Sequence, residues 1–172
     1  MGELLITWSA RVVVLFYLLR VAADILIVDA SRRDRWARWA WTLGCAVYLA
    51  HVVFAFRFLH HWSHAAAVEH AARRTFEVVG FEFGGGIYVN YAFTLLWVAD
   101  VALWWRRSQT KTAASAPYYW LVQAIFAFMM FNATVVFGPA FWKWVAGLAL
   151  VAIVALRLLV PRTRDPIALV RQ

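Results

Sequence analysis

The chain has 172 residues, 65% of them hydrophobic and 17% aromatic, with only 15% charged and a net charge of +8. A soluble core of that size cannot bury so much apolar surface, and the lone cysteine, Cys45, excludes an intramolecular disulfide framework. The apolar residues come in long runs, without the alternating segments of about ten residues that a membrane barrel needs, so an all-α integral membrane protein is expected, one membrane domain over residues 1–172.

A hydrocarbon core of about 30 Å requires roughly 20 apolar residues of a helix. Five segments meet that requirement, 4–28, 39–59, 87–105, 118–137 and 141–160, and predict a bundle of about five transmembrane helices. The first has no basic leader and no small-residue cleavage site, and reads as a retained span. It carries Arg11, Arg20 and Asp24. Arg20 and Asp24 stand four residues apart on one helix face, where each offsets the other's cost of leaving water. Asp100 and Arg157, near the inner ends of the third and fifth segments, lie at comparable depth. These four charges sum to zero and predict structural ion pairs in the inner half.

The outer half differs. Arg11 and Arg57 project from the first two segments, Asn90 from the third, and no carboxylate lies within the spans at that depth. Such cations need a partner, which makes Arg11, Arg57 and Asn90 a candidate site for an anion or lipid headgroup. Snorkelling of Arg57 to the interface is the competing outcome.

Four of the five histidines fall between Phe58 and His70, where the second segment gives way to a polar stretch. If the helix runs on past Leu59, Arg57, His60, His61 and His64 share one sector, and His60 and His64 have the i, i+4 spacing of helical metal sites. A bend near Ser63, a helix-capping residue type, would bring Glu69 and His70 to the same place. The candidate metal ligands are therefore His60, His61, His64, Glu69 and His70, with copper, iron or zinc as the metal. His51 points the other way and lies about 13–14 Å deeper, so it is a separate ligand candidate. A haem held by histidines of two helices is disfavoured, because every histidine lies in the second segment or the loop after it. The spacing His60, His61, His64 is similar to a histidine box of membrane di-iron hydroxylases and desaturases. Those enzymes carry several boxes and more histidines than the five in this chain, and no residue role follows from the similarity.

Over residues 62–79, Ala65, Val68, Ala72, Phe76 and Val79 gather on one helix face, while Glu69, Arg73 and Glu77 form a ridge at four-residue spacing on the other. That pattern predicts an amphipathic helix lying in the membrane interface between the second and third spans. The glycine-rich run from Gly80 to Gly86 comes next, as a turn that lets backbone approach another helix closely. The fourth segment adds Gln123, Met129, Met130 and Asn132, and the fifth faces lipid or another copy of the chain.

Of the seventeen basic residues, eleven flank the segment ends of one side and only Arg73, Arg74 and Lys143 those of the other. Basic loops stay cytoplasmic, so the N-terminus and the histidine-rich loop are expected outside and the C-terminus inside. The positive charge is thus a topology signal with the lipid bilayer as partner, and nucleic acid is not expected. Three functions fit these features: a metal-binding membrane protein, an oxidoreductase or a subunit of one; a non-catalytic accessory or scaffold subunit that pairs with membrane proteins or with itself; and a lipid or small-anion binding or transport protein.

Overall fold

The computed structural model describes residues 1–110 and 114–159, with side chains to residue 156. Every described element is helical: α1 (Gly2–Leu26), α2 (Ala30–Phe54), α3 (His64–Val79), α4 (Gly86–Thr110), α5 (Ala116–Phe131) and α6 (Phe141–Leu159), with π-helical turns at Ala55–Leu59 and Asn132–Val136 closing α2 and α5. Four stretches are long and apolar enough to cross a membrane, Gly2–Leu26, Ala30–Leu59, Gly86–Thr110 and Ala116–Val136. The fifth expected span is α6, whose described apolar part, Phe141–Leu156, is shorter than these four. The chain divides into two compact units, Met1–Trp105 and Arg106–Gln172.

In the first unit α1 breaks at Ile27, which is extended, and Asp29 starts α2 by accepting the Arg32 amide at 2.7 Å. An Asp at this position satisfies one of the orphan amides of a first helical turn. The second helix therefore begins at Ala30 and not at Trp39, and Arg32, Arg33, Arg35 and Arg38 sit on its first turns instead of in a loop. With its π turn it runs 30 residues, about 45 Å, which is longer than a hydrocarbon layer of about 30 Å is thick.

α2 and α4 are joined by indole N–H groups. Trp41 Nε1 donates to Asp100 Oδ2 at 2.8 Å, Trp104 Nε1 to Asp34 Oδ1 at 2.9 Å, and Trp105 Nε1 to Thr42 Oγ1 at 3.0 Å. Trp41 and Trp97 are fully buried with ring centroids 5.3 Å apart, and Tyr48 lies 5.2 Å from Trp97. Amphipathic rings of this kind bury a large area and keep one polar atom to be satisfied, which α2–α4 partners do for Trp41, Trp104 and Trp105.

The expected pair of Arg20 and Asp24 forms, with Arg20 only 4% exposed. Its guanidinium also lies over the rings of Trp41 and Trp104, at 5.5 and 5.3 Å. Asp100, assigned to the same charge set, is held by Trp41; the side chain of Arg157 lies outside the described residues.

The second unit holds α5, with a proline in its first turn, and α6. Asn132 Nδ2 and Thr134 Oγ1 donate to carbonyls of their own helix, Phe128 at 2.8 Å and Met130 at 2.7 Å, which satisfies these polar groups locally.

Candidate functional site

The second helix widens into a π turn at Ala55–Leu59, closed by the His60 amide on the Ala55 carbonyl at 3.0 Å. A π turn adds one residue to the cycle and re-aims the residues after it, and such turns recur at functional sites. His61 and Trp62 then take positive φ angles of 50° and 61°, conformations that L residues rarely adopt. Ser63 comes next as the N-cap of α3, its side chain accepting the Ala66 amide at 3.2 Å. The chain thus reverses at residues 61–62, and His60 and His64 are not on one continuous helix.

This reversal sorts the histidines. His60 is 7% exposed, and His70, half-buried on α3, sits against it with ring centroids 5.3 Å apart and planes at 65°. The Phe56 ring also packs against His60, with centroids 5.5 Å apart. His60 Nδ1 is buried and has no hydrogen-bond partner among the described residues. His64 turns instead to α4, its Nδ1 3.0 Å from the Tyr91 hydroxyl and its Nε2 3.3 Å from that of Tyr88. Glu69 pairs with Arg73 at 3.6 Å in the open, and His61 is exposed. Of the five candidate ligands, then, His60 and His70 are brought together. Among the described residues no three His, Cys, Asp or Glu side chains are gathered so that they could hold a metal ion.

Both rings of the pair are held below the ordinary histidine pKa. Burial is the main cause for His60, with the neighbouring His70 and His61 adding to it. Burial is also first for His70, followed by the guanidiniums of Arg73 and Arg74, with Glu77 opposing. Each of these lowering effects disfavours the protonated ring and so favours the neutral form, which has a lone pair to offer.

The glycine run positions α3. Gly80 ends it in the left-handed region at φ 88°. Gly84 comes so close to α3 that a Cβ there would stand 2.6 Å from Val68 Cγ1 and 2.9 Å from the Val68 carbonyl oxygen. Thr75 Oγ1 donates to the Phe83 carbonyl at 3.2 Å. On the solvent ridge Arg74 reaches Glu77 at 2.5 Å, while Phe76 and Val79 are exposed, which leaves an apolar face uncovered by the described residues.

His51 lies elsewhere. Its Nδ1 is 3.0 Å from Ser9 Oγ and 3.1 Å from the Ile6 carbonyl oxygen, so it ties α2 to α1. Arg11 lies over Trp8 of its own helix at 4.8 Å, Arg57 is exposed beside Phe58, and Asn90 is exposed. The part played by Tyr88 and Tyr91 as partners of His64 had no sequence signal beyond their polarity on the third span. Family models, curated proteins and solved structures were all compared with the chain, and none matches it.

Proposed function

We propose that the chain is a multi-pass membrane protein of about five spans that binds a transition-metal ion between His60 and His70, on the extracytoplasmic side. One observation carries the reading: two imidazoles from different helical elements stand 5.3 Å apart, one of them with a buried ring nitrogen that has no partner among the described residues. A buried polar atom without a hydrogen bond is costly, and a bound ion removes that cost. The spacing also suits an ion. With metal–nitrogen bonds of about 2 Å, two coplanar-bound imidazoles have centroids about 5 Å apart at a tetrahedral angle and about 6 Å apart in a line. Burial lowers the basicity of both rings, which favours the neutral form that binds metal.

Two protein ligands leave coordination positions open, so an external ligand or substrate can reach the ion. This is the arrangement an oxidoreductase, or a subunit that hands metal or electrons to one, would use. The outside placement is inferred from the eleven-to-three split of basic residues.

Metal analysis of the full chain, purified in detergent after growth with copper, iron and zinc supplied, tests the reading. One ion per chain is expected, lost in His60→Ala and in His70→Ala. It should be retained in His51→Ala, whose ring belongs to the α1–α2 contact, and in His61→Gly, which also relaxes a strained φ. A folded sample that holds no metal under these conditions sinks the proposal and leaves the scaffold reading in its place.

A further inference from the structure

The corner between α1 and α2 carries a second binding surface, apart from the histidines. We infer that it holds one anionic phospholipid, with the phosphate on Arg32 and the acyl-ester region against Trp36 and the end of α1. An open cavity of about 410 Å³ lies at this corner, lined by Leu26, Ile27 and Val28 on one side and by Asp29, Arg32 and Trp36 on the other. Sites that take small molecules have volumes of roughly 300–1,000 Å³, so there is room for a headgroup. The cavity exists because α1 stops at the extended Ile27 and α2 is started by Asp29, whose carboxylate accepts the Arg32 amide at 2.7 Å. That carboxylate already caps the helix, so an anion here is received by side chains and not by the helix end.

Charge is sorted between the two sides of α2. At about 100° per residue, Arg32 and Trp36 share one face with Arg33 and Arg35 flanking it, whereas Asp34 and Arg38 stand roughly 200° and 240° round from Arg32. Arg38 pairs with Asp34 at 3.2 Å, and Asp34 also accepts the Trp104 indole of α4. On α1, Asp24 is taken by Arg20. The cavity side is left with three guanidiniums, Arg32, Arg33 and Arg35, against the one carboxylate of Asp29, an excess of two positive charges. Basic clusters beside a spanning helix attract anionic headgroups in this way. The apolar wall selects a lipid over a bare anion, because Leu26, Val28 and Trp36 are exposed and an inorganic ion covers none of them. The groups also follow the order of an amphiphile. Arg32 is nearer the start of α2, and Trp36 lies one turn, about 6 Å, further along the helix. A guanidinium matches phosphate oxygens with two parallel hydrogen bonds, an indole N–H suits an ester carbonyl at the membrane interface, and Leu26 and Val28 offer contact to an acyl chain.

The test is native mass spectrometry of the full-length protein, delipidated in detergent and then given phosphatidylglycerol and phosphatidylcholine in equal amounts. One phosphatidylglycerol per chain is expected to be retained in preference to phosphatidylcholine. Arg32→Ala should weaken this retention about tenfold, the loss of a charge-assisted contact, and Trp36→Ala should weaken it as well. Arg32→Lys keeps the charge but not the fork and should recover only part of the binding. Arg106→Ala removes an equally exposed arginine at the end of α4 and should change nothing. Arg32 and Trp36 are exposed, so replacing them leaves the packed core intact. Equal losses in Arg32→Ala and Arg106→Ala would reduce the effect to net charge and overturn the site. Displacement of the lipid by inorganic phosphate at the same concentration would overturn the lipid assignment and leave an anion site, and no preference for phosphatidylglycerol over phosphatidylcholine would overturn both. No histidine lines the cavity, so these outcomes are independent of the metal reading.

Discussion

Acid acts directly on the histidine pair. His60 and His70 bind protons less readily in the folded chain than in the unfolded one, because burial and, at His70, the guanidiniums of Arg73 and Arg74 penalise the imidazolium. The unfolded rings, with a pKa near 6.5, therefore take up more protons than the folded ones as pH falls below that value. The contribution of the neutral pair to stability is thus present in full above about pH 6.5 and is lost progressively as pH drops toward the lowered folded-state values. Thermal unfolding of the metal-free protein in detergent between pH 8 and pH 5 should show a midpoint that falls below about pH 6.5, and His70→Gln should flatten that fall. A midpoint that rises on acidification would mean that the rings gain a counter-charge on folding. At this scale the sequence pointed to the crowded residues but not to their partners. Crowding of four histidines was visible, whereas the meeting of His60 with His70 depends on two residues, His61 and Trp62, entering a backbone region that neither residue type prefers. No local propensity predicts such a step; it is imposed by what the flanking helices pack against.

Between elements, the loop geometry sets the distance between the paired rings. α3 is fixed at its start by the Ser63 cap, at its end by Gly80, and along its side by Gly84, whose lack of a side chain lets backbone touch Val68. Gly84→Val should therefore push α3 away from the chain that comes after it, at a cost of about 1–3 kcal/mol typical of overpacking, and weaken metal binding although no ligand is changed. Adding Val68→Ala removes the clash with Cγ1 but not with the carbonyl, so affinity should return only in part. Metal affinity unaltered in Gly84→Val would show that α3 is not held by this contact. The helix itself was legible in the sequence, because its apolar spacing, its cap and its terminal glycine all agree over 62–79 and the observed limits are His64–Val79. The Trp–Asp and Trp–Thr bonds between α2 and α4 were not legible. The sequence gives Trp41, Trp104 and Trp105 only a position along a helix, and which indole meets which acceptor is decided by the rotation of one helix against another, about which a single helix's sequence is silent.

For the whole molecule, the proposed orientation rests on the basic residues. Arg32, Arg33, Arg35 and Arg38 occupy the first turns of α2, with Arg106 and Arg107 at the far end of α4, whereas the α2–α4 connection that bears the histidines has only Arg73 and Arg74, each paired with a glutamate. Neutralised arginines weigh less in any effective attraction to the anionic cytoplasmic leaflet, which sharpens the asymmetry that the count alone gives. The lengthening of α2 back to Ala30 leaves this asymmetry intact, because basic side chains on a helix end project into the headgroup region as well as those on a loop do. Reporter fusions after Gly2 and within residues 63–82 should accordingly read extracytoplasmic, and one after Arg107 cytoplasmic. A cytoplasmic signal from the 63–82 fusion would invert the orientation and put the His60–His70 pair in a reducing compartment. An extracytoplasmic signal from both the 63–82 and Arg107 fusions would instead mean that α4 does not cross, and the number of spans, not only their direction, would have to be redrawn.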